Sequence, residues 1–422
     1  MNTFTAFFLT MLALSLATQL WLTIRQINHI SRHKNQVPKS FRDRITLVDH
    51  QKAAAYTLEK SRLSMLDIII SSFILLGWTL GGGLEWIDQS WQGFGLGNLA
   101  TGVAVLVSTF FIISLLDVPF SLYSTFVIEE KYGFNKSTIQ IYISDFIKQT
   151  ILTIVLGVPL AFVVLWLMAS SGSLWWIYVW IFWTAFTLFL MWLYPTWIAP
   201  MFNKFSPLDN IELVQRINNL LQRCGFASNG IFVMDGSKRS GHGNAYFTGL
   251  GAQKRIVFFD TLLDSLNGDE IEAVLAHELG HFKHKHVVKR MITMAATSFI
   301  SLALLGWLIQ QTWFYTGLGV NTPSTHMALL LFLLVIPVFG FFLQPVSSFL
   351  MRKHEFEADS YAARQTSALH LIQALVKLYT ENANTLTPDP LFSAFHDSHP
   401  PAPVRIAFLS SKLNEKPTEE SL

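Results

Sequence analysis

Long apolar runs alternate with polar segments along the whole chain. Seven windows approach the roughly 20 apolar residues that a helix needs to cross a hydrocarbon core. They fall at about 4–24, 63–83, 99–120, 150–170, 174–199, 291–309 and 327–346, and none holds a Lys or Arg. The pattern predicts seven membrane-spanning helices. The first window is expected to be an uncleaved span rather than a signal peptide. Met1-Asn2-Thr3 ahead of it carry no basic side chain, the run is longer than an h-region, and the basic residues follow it. Its N-terminus is therefore expected on the far side of the membrane.

The polar segments sort by charge. Lys and Arg number nine in 25–62, three in 121–149, eleven in 200–290 and seven in 347–422, which accounts for all 30. Segments 84–98, 171–173 and 310–326 have none. With seven spans and an outside N-terminus, every basic segment falls on one side, which the positive-inside rule makes cytoplasmic. One span more or fewer would scramble this sorting. Four regions follow. Residues 1–199 form a five-span membrane region with a basic cytoplasmic loop, and 200–290 a polar cytoplasmic block. Residues 291–346 form a hairpin of spans six and seven, and 347–422 a C-terminal cytoplasmic region.

Composition supports the same class. Apolar residues make up 51% of the 422, with 35 Phe and 13 Trp, and charged residues only 14%. A soluble domain carries about 25% charged residues, so there is too little charge here to coat a soluble surface. Disorder, coiled coil and collagen are excluded on the same grounds. The net charge of +2 gives no argument for nucleic acid. Cys224, the single cysteine, rules out an internal disulfide and a cysteine-rich metal site, and is expected to be a buried thiol.

Candidate chemistry lies in the 200–290 block. Asn267 followed by Glu270 reads as a helix N-cap with its capping-box partner, and Asp269, Glu270 and Glu272 suit the positive end of the dipole. Ile271, Val274, Leu275, Leu279 and Phe282 give an apolar helical face. On that helix His277 and His281 are four apart and share a face, so both imidazoles can bind one metal. Glu278 beside them is placed to take a proton from the attacking water. A third ligand is expected beyond the last span, in His354-Glu355-Phe356-Glu357-Ala358-Asp359. Glu355 can ligate, and Asp359, four residues on, can accept a hydrogen bond from a ligating histidine. Three ligands leave a fourth position open, as hydrolytic zinc needs. Spans six and seven leave and re-enter on one side, so the 74 residues between His281 and Glu355 do not prevent their meeting. Glu357 is expected to be solvated, His284 and His286 exposed, His354 off the metal face, and His29, His33 and His50 on the surface. Short β-rich runs at 231–234, 245–248 and 255–259, separated by glycines, predict a small sheet whose edge an extended peptide could extend.

At this point the chain resembles the type I CAAX prenyl protease family, membrane zinc metalloproteases with an HExxH…ExxxD arrangement. The likeness extends to Pro119–Asn135, to Ser240-Gly-His-Gly-Asn-Ala-Tyr-Phe-Thr-Gly249 and to Ser398-His399-Pro400-Pro401 with Arg405. The resemblance implies a mainly α polytopic fold, with seven helices enclosing an aqueous chamber and a zinc site near its cytoplasmic side. It implies one zinc at His277, His281 and Glu355, with Glu278 as general base and Asp359 supporting or donating a proton. It also implies that Asn244, Ala245, His399 and Arg405 bind the peptide substrate, with Arg405 close to the zinc site. Members of the family remove the C-terminal three residues of prenylated CAAX proteins.

Two other functions compete. A quality-control zinc protease would share the metal site but need not carry the other motifs. A transporter with structural zinc would need a closed four-ligand site and polar spans, whereas the spans hold little ionisable character beyond Asp67 and Asp117. The expected partners are a peptide or protein substrate and the lipid bilayer, with no nucleic acid, and the chain is expected to be a monomer. Glu419-Glu420-Ser421-Leu422 shows no retrieval signal, and a bacterial inner membrane is expected in preference to the endoplasmic reticulum.

Overall fold

The computed structural model describes residues 2–248 and 255–413. Gly249, which ends the Ser240–Gly249 motif, and Glu419–Leu422 lie outside the described residues. Seven helices long and apolar enough to cross a membrane are present among the described residues. The first five spans are built on Thr3–His33 (α1), Leu47–Trp78 (α2), Asn98–Tyr123 (α3), Ile139–Ser170 (α4) and Trp175–Leu193 (α5). Side chains of Asn2, Thr46 and Thr138 accept from the backbone at Thr5, Asp49 and Ile141, capping three of them. Helices α1, α2 and α4 run 31 to 32 residues, longer than their apolar windows. Apolarity marks the immersed part only, so the first turns of α2, with Tyr56 and Lys60, project beyond it. The helix of α3 continues past Pro119 through a π-helical turn at Ser124–Glu129, a local rewinding of the kind associated with helix interruptions.

The spans pack unevenly. In α3 the buried residues are Thr101, Gly102, Val103, Val105, Leu106 and Thr109, and in α4 only Val164, Leu165 and Met168. Val103, Val105, Leu106, Val164, Leu165 and Met168 join one apolar cluster with α1 and the late spans, at the end of the bundle that holds the N-terminus. From 110 to 123 no side chain of α3 is buried on any face. α3 is thus tightly packed at that end and loosely packed in its other half. Asp117 is exposed there and Asp67 half-buried, close enough to interact. A carboxylate facing hydrocarbon is costly, so both suit a wetted interior.

The amphipathic helix α6 (Ile211–Cys224) lies between the first and second strands of a sheet. Its strands are Phe205–Pro207 (β1), Ile231–Met234 (β2), Ala245–Thr248 (β3) and Arg255–Phe259 (β4), in the order β1-β2-β4-β3. β2 and β4 are parallel with Ile231 opposite Ile256, and β3 is antiparallel to β4 with Ala245 opposite Phe258. Three strands were legible in the β-rich runs. The fourth, β1, is a three-residue segment ending in Pro207, too short to carry a period.

Helix α7 (Gly268–Lys283) carries the HExxH motif and opens with the expected capping box of Asn267 and Glu270. α8 (His286–Leu308) is the sixth span. The seventh begins as α9 (Thr325–Gly340) and passes through a single 3-10 turn into α10 (Gln344–Gln365), which carries Glu355 and Asp359. α11 (Ala368–Glu381), α12 (Pro390–His396) and α13 (Ala402–Leu413) complete the described chain. Ile217, Phe258, Leu275, Leu279, Leu371 and Leu409 form one buried core across α6, the sheet, α7, α11 and α13. Cys224 is free and buried in it. Where α7 crosses α10, a Cβ at Gly280 would stand 2.9 Å from Ala358 Cα and 3.1 Å from its carbonyl oxygen. The glycine lets the two backbones touch, and that contact sets Glu355 against the histidines.

Candidate functional site

His277 and His281, one turn apart on α7, meet Glu355 from α10. The two Nε2 atoms are 3.2 Å apart, and Glu355 oxygens lie 3.4 Å from His277 Nε2 and 3.3 Å from His281 Nε2. Ligand atoms at 2.0–2.1 Å from a tetrahedral centre stand roughly 3.3 Å apart, so these separations are those of three corners around one ion. Glu355 is 5% exposed, and its buried Oε2 makes no well-formed hydrogen bond, only longer charged contacts to His277 Nε2 at 3.4 Å and Arg405 Nη1 at 3.7 Å. A buried carboxylate oxygen in that state is costly unless a cation meets it. The donor set therefore fits a metal, and this is the one such His/Glu group among the described residues.

The surroundings orient the ligands. His277 Nδ1 is 2.8 Å from Asp359 Oδ1, which directs Nε2 towards the ligand cluster. Arg405 clamps the same carboxylate, with Nε at 2.9 Å from Oδ2 and Nη2 at 2.6 Å from Oδ1. Burial alone would lower the His277 pKa, but its bonds to Asp359 and Glu355 outweigh this and raise the metal-free imidazole to about 9. Burial would also lower Arg405, yet the Asp359 charge raises it and keeps it protonated. Asp359 is fully buried behind His277 with both oxygens engaged. That position, between His277 and Arg405, suits a supporting role.

A cavity of about 850 Å³ opens beside the cluster, lined by His277, Glu278, Asn244, Ala245, His399 and Arg405 among others. Glu278 is half-buried on its wall. Asn244 is exposed, its side-chain oxygen accepting from Ala245 N–H at 2.8 Å and its backbone oxygen from Phe259 N–H at 3.0 Å. Ala245 begins β3, which ends the sheet and, among the described residues, pairs only with β4. His399 Nε2 is 3.4 Å from Glu355 Oε1, and its Nδ1 is 3.0 Å from Ser398 Oγ. Its side chain is 62% exposed, towards the cavity. Desolvation at the cavity wall lowers its pKa, partly offset by the Glu355 charge.

Some expectations about nearby residues are overturned. His286 is buried, not exposed, because it bonds His281 and Glu357; Glu357 is correspondingly paired rather than solvated. His284 is half-buried with a buried, unpartnered Nε2. His50 is buried against His33 O at 3.1 Å. His354 lies off the metal face as expected, stacked on His286 with centroids 4.0 Å apart.

A polar chain on the cavity wall was missed. Tyr56 donates to Glu129 at 2.5 Å, and Glu129 lies 3.4 Å from His242 Nε2. His242 stacks on Phe134, and Asn382 binds both Gly243 N–H (3.0 Å) and Gly243 C=O (3.3 Å). Asn382 thus pairs with the backbone just before Asn244 as a neighbouring strand would. Its members come from four distant segments, and only the Pro119–Asn135 and Ser240–Gly249 motifs hinted that two of them matter.

A membrane bundle that presents two imidazoles and a carboxylate as a ligand triad, with a glutamate beside it in a cavity, defines an integral membrane metalloendopeptidase. Two family models match the chain. One, described as CAAX prenyl protease N-terminal, five membrane helices, covers residues 26–204; the other, peptidase family M48, covers 207–413. The chain belongs to peptidase family M48 and carries the membrane region of its CAAX prenyl proteases. It is 36% identical to a CAAX prenyl protease 1 homolog of Arabidopsis thaliana over 92% of both chains. It is 39% identical to CAAX prenyl protease 1 of Saccharomyces cerevisiae, over 72% of this chain and 70% of that one. The fold is similar to the crystal structure of S. mikatae Ste24p, with a TM-score of 0.89 and 31% identity over 97% of this chain and 99% of the other.

Proposed function

We propose that this chain is a zinc endopeptidase that cleaves near the C-terminus of prenylated CAAX proteins. The observation that carries the reading is the ligand triad at 3.2–3.4 Å, set with Glu278 on the wall of a cavity that also holds the open edge of β3. Two imidazoles and a carboxylate at these separations suit zinc, one per chain. When bound, the metal supplies Lewis-acid polarisation and acidifies a water. Glu278 takes the proton of the attacking water and passes it to the leaving amine. Peptide lies extended along 244–248, with Asn244 and Ala245 fixing its backbone. Asn244 must release Ala245 N–H for that hydrogen bond to go to the peptide. His399 donates to the substrate carbonyl oxygen as charge develops on it. Asp359 and Arg405 act behind the ligands, holding His277 in the tautomer that binds metal.

The CAAX substrate comes from the relatives' names and from the motifs that extend beyond the metal site. A quality-control protease with non-prenylated substrates has no observation of its own in its favour. The four-region division is retained, with residues 200–290 and 347–422 building the site on the cytoplasmic side and the chain acting as a monomer. The expected bacterial inner membrane draws no support from the relatives named above, which are eukaryotic. The test is metal analysis of purified protein and hydrolysis of a farnesylated CAAX peptide beside its unprenylated twin. Cleavage of the farnesylated peptide alone or by preference is expected, and equal rates would remove the prenyl specificity. Glu278→Gln should keep its zinc and lose about 10²-fold or more in turnover, because the ligands survive and the base does not. Wild-type turnover in that variant would end the base assignment.

A further inference from the structure

The two ligating histidines are backed differently. Asp359 stands behind His277, and the mechanism above uses it; behind His281 stands another histidine. His281 Nδ1 is 3.0 Å from His286 Nδ1, and His286 Nε2 is 2.9 Å from Glu357 Oε2. His286 is 4% exposed. We propose that His286 and Glu357 are positioning residues for the metal ligand His281, a second support for the metal centre built from the helix reversal after the HExxH motif. The proposal rests on the metal site assigned above.

The proton inventory has one arrangement compatible with ligation. His281 must offer a lone pair at Nε2, so its proton sits on Nδ1 and is donated to His286 Nδ1. His286 then carries its own proton on Nε2 and donates it to Glu357. The reverse direction would place the His281 proton on Nε2 and block the metal. Each group in the chain is satisfied in the ligating arrangement, and the carboxylate at the end favours it.

The backbone supports the assignment independently. α7 ends at Lys283 and α8 starts at His286, and between them Lys285 has φ 55°. That left-handed conformation is unfavourable for a lysine, so the surroundings must hold it there. The reversal it produces turns the ring of His286, five residues on, back against His281. The ring is wedged there by His354, stacked at 4.0 Å and 14°, and Lys289 Nζ lies 3.8 Å from Glu357 Oε2. His354 contacts the ring face only and takes no part in the hydrogen bonds.

The test measures zinc affinity of full-length protein in detergent by competition with a chromogenic chelator, so it does not depend on turnover. His286→Leu is expected to weaken zinc about 10- to 100-fold, the usual effect of removing a partner of a ligating histidine. His286→Gln keeps a carbonyl acceptor for His281 Nδ1–H and should recover at least half of that loss on a logarithmic scale. Glu357→Gln should weaken zinc measurably, and combining it with His286→Leu should add nothing. His354→Ala, which removes the stacked ring but no hydrogen bond, should stay within threefold of wild type. A His286→Leu protein binding zinc within twofold of wild type would overturn the proposal, as would a His286→Gln protein no tighter than His286→Leu, or additive losses in the double variant. Failure of the site reading looks different: full-affinity zinc retained in His277→Ala, or no zinc in the wild-type protein.

Discussion

At the residue scale, His399 tests how the cavity treats the substrate. Ser398 Oγ–H can donate to its Nδ1, which leaves a proton on Nε2, the atom turned to Glu355 and the open side of the cluster. A neutral donor in that position acts on the carbonyl oxygen as it becomes negative, and such a donor contributes about 3 kcal/mol, roughly a hundredfold. His399→Ala with metal content unchanged should lose at least tenfold in kcat; activity within twofold of wild type would make it a surface residue. His277 makes a second residue-scale prediction. Its metal-free pKa is raised to about 9 from 6.5. In the metal-free protein that shift stabilises the fold fully below pH 6.5 and is lost as pH rises through 9. Metal uptake must displace the same proton, so apparent zinc affinity should rise about tenfold per pH unit between pH 7 and 8.5. A flat profile over that range would show that His277 is already neutral. The sequence made the ligands legible, because i and i+4 spacing holds on any helix. His286 was not legible, because the helix stops at Lys283 and a left-handed Lys285 turns the chain back. Its spacing of five therefore says nothing about where the ring goes.

At the element scale the site depends on how closely α7 and α10 approach. Gly280 has no Cβ, and one placed there would meet backbone atoms of Ala358 at 2.9 and 3.1 Å. Backbone in the middle of a helix cannot swing aside as a side chain could. Helix propensity alone would make Gly280→Ala stabilising by about 1 kcal/mol. Overpacking typically costs about 1–3 kcal/mol, so the clash should win and lower the melting temperature. Separating the helices also draws Glu355 from the histidines, so zinc affinity should fall in the same variant. A higher melting temperature with unchanged zinc affinity would mean that the helices do not touch at Gly280. The motif reader sees Gly280 only as an interior position of HExxH, and a glycine there reads as a weakness of the helix. Its purpose appears only when the partner helix is known. The capping box at Asn267 and Glu270 needed no such partner, since every contact it makes is local. Helix α10 was legible by its acids at positions 355 and 359 but not as an extension of the seventh span, because the apolar window ends where the helix merely leaves the membrane.

For the whole molecule, sidedness follows from contacts made by the loops. Asn2 binds Trp313 O at 3.1 Å, Thr5 binds Gly317 O at 2.8 Å, and Glu85 accepts from Thr322 N–H at 3.1 Å. The N-terminus and segments 84–98 and 310–326, all without Lys or Arg, therefore share one end of the bundle. At the other end Arg25 holds Asp389 at 3.0 Å, joining the first basic segment to the region that carries His399. The span count and the charge sorting were readable because each is a property of composition along the chain. The loosely packed half of α3 was not, since a helix face lining a chamber and one facing lipid are both apolar here. Only the lack of buried residues over 110–123, and the exposed Asp117, distinguish it. Charge fixes the remaining choice. Placing all 30 Lys and Arg outside would oppose the rule that governs insertion, and on that ground we propose that the end with the candidate metal site faces the cytoplasm. Cys224, the one native thiol, is buried, so background labelling in intact membranes should be low. Pro323→Cys should then react with an impermeant maleimide added from the far side, and Ser40→Cys only after the cytoplasmic face is opened. The reverse pattern would invert the molecule and put the peptidase site on the other side of the membrane.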